Sequence, residues 1–145
     1  MPDLNIICWN TKVPSDVLAY IKQFALQCEI NEEFDPDCDL VYTMSEDSKI
    51  VAVIALKRVL FTDGRTIPRW EHIFVAPNIK RSKKGLFFLL HVEQRILEDG
   101  FEQIWAYINK NREEMYEHAV KFGFKEYAKD ENGNYLIKNI TKRRV

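Results

Sequence analysis

Short runs of β-branched and aromatic residues alternate with amphipathic helical stretches along this chain, an order that predicts a layered α/β domain. Leu4–Trp9 reads as a first strand. Val17, Leu18, Ile21, Phe24, Ala25 and Cys28 then recur at helical spacing behind Ser15, a good N-cap. Residues 29–39 are polar and acidic and read as a loop, with a short second helix allowed near Glu32–Phe34. Asp39–Met44 and Ile50–Phe61 have strand composition on either side of the polar turn Ser45–Lys49. Asp63-Gly64 is a hairpin signal leading into Arg69–Val75, and Pro68 stands where that strand begins, a position that tolerates a missing N–H.

The second half predicts a helix from about Ser82 to Glu98 with Leu86, Leu89, Leu90, Ile96 and Leu97 on one side, closed by Gly100 as C′ residue. A strand at Gln103–Ile108 and a helix at Arg112–Phe122, ended by Gly123, follow. Phe124–Ala128 and Tyr135–Ile140 make a last hairpin around Glu131-Asn132-Gly133. The order is β-α-(α)-β-β-β-α-β-α-β-β. No linker or repeat interrupts it, so residues 1–145 are expected to form one α/β (α+β) domain on a mixed, mostly antiparallel sheet.

Composition narrows the function classes. Net charge is −1 with 46% apolar and 30% charged residues, an ordinary globular balance that demands neither nucleic acid nor a membrane as partner. Cys8, Cys28 and Cys38 are an odd number without CxxC spacing, which favours a reducing compartment over a disulfide framework or zinc site. No leader-like N-terminus or bilayer-length apolar run is present, so a cytoplasmic location is expected. The charge is segregated: Glu29, Glu32, Glu33, Asp35, Asp37 and Asp39 crowd one loop, and Lys80, Arg81, Lys83 and Lys84 another. Asp35-x-Asp37-x-Asp39 with Glu46 imitates a calcium loop, but Leu40 occupies the position that needs glycine, so no metal is expected. The terminal Lys142-Arg143-Arg144 run reads as a frayed tail.

The candidate chemistry lies between Trp70 and Gly100. Strand Trp70–Val75 feeds Ala76-Pro77, then the basic turn Lys80-Arg81-Ser82-Lys83-Lys84-Gly85, then a helix. Such a turn holds phosphates, because first-turn amides, the helix dipole and ammonium groups all favour an anion.

Sequence and spacing here resemble the coenzyme A loop of the GCN5-related N-acetyltransferases, and the resemblance covers nearly the whole chain. Val75-Ala76-Pro77 matches the family's strand end. Counting forward places Lys80 at the Arg/Gln position, Lys83 at the first glycine and Gly85 at the last, with Gly100 at the expected helix end. Ile104–Ile108, Asn111 and Phe122-Gly123-Phe124 resemble the second half, one residue longer than usual. The resemblance implies a sheet with helices on both faces and acetyl-CoA as substrate. It implies coenzyme contacts from Phe74, Val75, Lys80, Arg81, Ser82, Lys83, Lys84, Gly85 and Asn111, and an amine on a small molecule or protein as acceptor.

Two departures stand out. Lys83 replaces a glycine that lets the backbone approach the pyrophosphate. The family's thiolate-protonating tyrosine falls on Ala119, with Tyr116 one helical turn earlier as substitute. Acetyl transfer also needs a base for the attacking amine. Glu71 is the first candidate, because family members use a carboxylate on this strand through water, and His72, on the opposite side, is the second. The acidic segment 29–39 would lie near the acceptor mouth and favour a cationic amine. His91 and His118 receive no role. Lys83, Ala119 and the adjacent aromatics Phe87 and Phe88 also resemble, loosely, acetyltransferase-like virion proteins of tailed phages. A catalytically inactive assembly module, with a protein partner or a second copy bound, is the alternative reading.

Overall fold

The structure is a computed structural model that describes residues 4–9, 12–30, 32–80 and 82–140. Among them the chain runs β1 (Leu4–Trp9), α1 (Ser15–Gln27), β2 (Leu40–Glu46), β3 (Lys49–Leu60), β4 (Thr66–Val75), α2 (Pro77–Lys80), α3 (Lys83–Glu98), β5 (Gln103–Asn109), α4 (Glu113–Lys121), β6 (Lys125–Lys129) and β7 (Gly133–Asn139). Seven strands form one mixed sheet in the order β1-β2-β3-β4-β5-β7-β6. β1–β2, β2–β3, β5–β7 and β6–β7 pair antiparallel, and β4 runs parallel to β5.

The optional helix at Glu32–Phe34 does not form. Phe34 is buried there, and Pro36 disfavours a helical conformation in Asp35 before it. The short helix falls instead at Pro77–Lys80, where proline's fixed φ suits a first helical residue. Pro14, not Ser15, is the N-cap of α1, and its carbonyl accepts the first helical bond from Leu18.

The chain divides into two compact units. The first comprises Met1–Lys57 and Glu71–Val92. Its core runs through Val41–Met44 of β2 and Ala52–Leu56 of β3, where consecutive residues are buried, so both faces of these strands are covered. Ile21, Phe24 and Ala25 of α1 and Phe88 and Val92 of α3 contribute to the same core. Phe88, not Leu86, carries the buried stripe of α3; Leu86 and Phe87 are about half exposed at 48% and 52%.

The second unit comprises Arg58–Trp70 and Glu93–Val145. Ile104, Trp105, Ala106 and Ile108 of β5, Leu136 of β7, Ala119 of α4 and Phe124 form its core, while β6 is exposed throughout. Trp70 and Phe124 meet at 4.6 Å, and Trp105 has Phe61 edge-on and Tyr135 stacked against it. Both helices that end here use glycine. Gly100 and Gly123 have φ of 94° and 99°, and the amides that follow, of Phe101 and Phe124, reach back to Ile96 and Ala119 in Schellman closures. The two C′ residues expected from sequence are therefore in place.

Candidate functional site

The basic turn belongs entirely to the first unit. The Ala76 amide donates to the Val51 carbonyl at 2.9 Å, and the chain then turns into α2. Ser82 is the N-cap of α3: its Oγ accepts the Lys84 amide at 3.2 Å and donates to the Ile79 carbonyl at 2.9 Å. The Ser82 amide donates to that same carbonyl at 3.0 Å. Gly85 closes on it from the other side, for a Cβ there would stand 3.0 Å from the Ile79 oxygen. The packing of α3 on α2 thus favours glycine at the last glycine position of the expected motif.

This arrangement sorts the expected phosphate ligands. Lys80 and Lys83 are exposed at the turn. Lys84 is not available in the same way, because its Nζ makes a two-pronged pair with Glu46 at the end of β2, at 3.0 and 2.9 Å. Ser82 spends its hydroxyl on the cap, which satisfies one of the amides that a helix start leaves open. Arg81 lies outside the described residues. Val75 is half-buried at the strand end, whereas the Phe74 ring is fully buried against Phe34 and His72, so only its backbone is left to face a ligand.

Glu71 and His72 have distinct surroundings. His72 is buried; its Nε2 accepts the Asp35 amide at 2.9 Å and its Nδ1 lies 2.5 Å from Glu32 Oε2. With its acceptor nitrogen occupied by the Asp35 amide, the ring has no lone pair open to a substrate proton in this arrangement. Glu71 is half-buried, and its charge acts on Lys57 and Cys38. The acidic segment is partly neutralised from within: Asp35 pairs with Lys57, and that ammonium, with the Asp37 amide, holds its carboxyl below the ordinary aspartate range. Glu32 and Asp35 of this segment are therefore turned toward protein partners. Burial, with Asp35 and Glu71 adding, pushes the Cys38 thiol up to about 12.

In the second unit, Asn111 is exposed in the turn before α4. The Tyr116 hydroxyl donates to Glu126 of β6 at 3.2 Å, and burial together with that carboxylate raises its pKa. The phenol is held protonated with its hydrogen already directed at Glu126. Ala119 is buried. The ladder between β4 and β5 is formed by Arg69 and Trp70 with Trp105 and Ala106, and β4 runs five residues beyond it, to Val75.

Sequence reasoning missed Glu46, Glu32 and Asp35 as partners of the site lysine and histidine. No local signal marks them, for each lies 37 to 40 residues from its partner. Among the described residues no cluster of metal-ligating side chains occurs, and no helix is long and apolar enough to cross a membrane.

Solved structures share this architecture. A probable acetyltransferase from Staphylococcus epidermidis is 18% identical over 96% of this chain and 100% of its own, with a TM-score of 0.67. The ribosomal-protein-S18-alanine N-acetyltransferase from Escherichia coli is 14% identical over 98% and 97%, at 0.68. Naa50 of Arabidopsis thaliana, in complex with the bisubstrate analogue CoA-Ac-MVNAL, is 14% identical over 93% and 99%, at 0.68. The chain has the acetyltransferase fold. At these identities the likeness is one of fold alone. No protein-family profile matches the sequence, and no curated protein does.

Proposed function

We propose that this protein is an acetyl-CoA-dependent N-acetyltransferase acting on an amine acceptor. The observation that carries the reading is the Pro77–Gly85 turn: on an acetyltransferase fold, α2 and a capped α3 close on the Ile79 carbonyl and leave Lys80 and Lys83 exposed. A coenzyme pyrophosphate would lie against those lysines and the first-turn amides of α3.

The chemistry then requires few groups. Backbone N–H groups of Ile73–Val75, beyond the β4–β5 ladder, would donate to the thioester carbonyl oxygen as charge develops on it. The acceptor nitrogen attacks the carbonyl carbon and gives its proton, through water, to Glu71. The C–S bond breaks, and the thiolate leaves to be protonated. Tyr116 is already bonded to Glu126, so water is the simpler source of that proton. The bisubstrate complex of the Arabidopsis neighbour and the ribosomal-protein acceptor named for the Escherichia coli one support amine acceptors, peptides included, as the class to screen.

Calorimetric titration of acetyl-CoA into the protein tests the reading. Micromolar binding, lost in a Lys80/Lys83→Ala variant, is the expected result. No binding at millimolar ligand would sink it and favour the assembly module, with the search turning to a protein partner.

A further inference from the structure

His72 is bound at both ring nitrogens by one short segment. The Asp35 amide is a donor only, so the Nε2 atom 2.9 Å away must accept and carries no proton. In the neutral ring the proton is therefore on Nδ1, where it is donated to Glu32 Oε2 at 2.5 Å. Phe34 and Phe74 flank the ring at 5.1 and 5.3 Å. The charged groups around it are Glu32 and Asp35 of the segment, Lys57 of β3, which pairs with Asp35, and Glu71 beside it on β4.

We propose that His72 is a positioning residue: its neutral, Nδ1-protonated ring fixes residues 32–35 on β4 and so places Asp35 for its pairing with Lys57 of β3. This inference goes beyond the acetyl-transfer reading, and its geometry stands without it. The segment has no helix or strand of its own between α1 and β2. Its backbone is tied to β4 by the Asp35 amide, and the Asp35 side chain, bonded to Lys57 and the Asp37 amide, ties it to β3. A ring with both nitrogens protonated would lose the Asp35 bond and set one N–H against another. The other neutral tautomer would lose both bonds.

Nitrogen NMR on histidine-labelled protein at neutral pH is the first arm, with a protonated Nδ1 and a bare Nε2 expected for His72. An Nε2-protonated ring would overturn the proposal. The second arm is amide hydrogen exchange in His72→Phe, which keeps a ring between Phe34 and Phe74 but has neither nitrogen. Exchange at Asp35 is expected to rise about 10-fold, the equivalent of one lost hydrogen bond, while β5 amides and acetyl-CoA affinity are unchanged. His72→Gln, whose Oε1 can accept from the Asp35 amide, should recover part of the protection and decides the matter should the Phe variant not fold. Unchanged exchange in His72→Phe, or no recovery in His72→Gln, counts against the role. Failure of wild-type protein to bind acetyl-CoA would sink the proposed function and leave both arms standing.

Discussion

The Lys84 ammonium is paired with both carboxylate oxygens of Glu46, at 3.0 and 2.9 Å, so one lysine of the basic turn has its charge answered inside the protein. The pair is partly exposed, at 33% and 20%, and ties the end of β2 to the first turn of α3. Lys84→Ala is expected to cost about 1 kcal/mol of stability. Its effect on acetyl-CoA affinity should be smaller than that of Lys80→Ala or Lys83→Ala, and Glu46→Gln should strengthen binding by freeing a cation. Urea unfolding and calorimetry on the four variants check this. Equal affinity losses at Lys83 and Lys84 would mean that the pair opens when ligand binds.

Gly85 sits within α3, where alanine ordinarily stabilises by about 1 kcal/mol. Here the added Cβ meets the Ile79 carbonyl at 3.0 Å, and that oxygen is pinned by two bonds from Ser82. Any retreat of that oxygen stretches both bonds. Gly85→Ala should therefore destabilise, by roughly 1 kcal/mol, and weaken acetyl-CoA binding with it. A rise in melting temperature would refute the argument.

Gly133 opens β7 opposite Asn109, and a Cβ there would lie 2.4 Å from the Ile108 carbonyl and 2.8 Å from the Tyr107 ring. Both obstacles belong to β5, in the core of the second unit. We expect Gly133→Ala to cost roughly 3 kcal/mol, read as a fall in melting temperature of about 6–12 °C.

Asp35 should shape the acid limb of stability. Lys57 first, then the Asp37 amide, lower its folded pKa. A depressed carboxyl contributes stability that is fully present above the unfolded aspartate value, near 3.9, and is lost as pH falls through the folded one. Asp35→Asn should be less stable than wild type at pH 7, and the gap should close as pH falls from the unfolded value through the lowered folded one. A gap that stays constant across this range would show that Asp35 acts without its charge.

The thiols should differ in reactivity. With its pKa near 12 and its side chain buried, Cys38 presents almost no thiolate at pH 8. Cys8 and Cys28 are partly exposed. Under native conditions a thiol reagent should label those two and reach Cys38 only on unfolding. Rapid native labelling of Cys38 would mean that the segment around it opens easily.

What the sequence made legible was local. Gly100 and Gly123 announce their helix ends because a C′ residue needs positive φ, and Asp63-Gly64 announces its hairpin for the same kind of reason. Val75-Ala76-Pro77 marks where a strand must stop. The choice of Phe88 over Phe87 as core residue was not legible, since adjacent aromatics satisfy composition equally and only the helix register decides. Nor was the fate of Lys84, Ser82 and His72. Residue type alone offers each to a ligand or proton, and each is engaged by a group whose closeness arises from sheet order or from the turn itself.

Three groups converge on the Ile79 carbonyl: the Ser82 amide, the Ser82 hydroxyl and the bare α-carbon face of Gly85. Such a bracket is built before any ligand arrives, so an anion settling beside it at Lys80 and Lys83 need freeze little chain. Binding at this turn should then carry a small entropic penalty and a heat set mainly by stripping water from Lys80 and Lys83, with a steep dependence on salt.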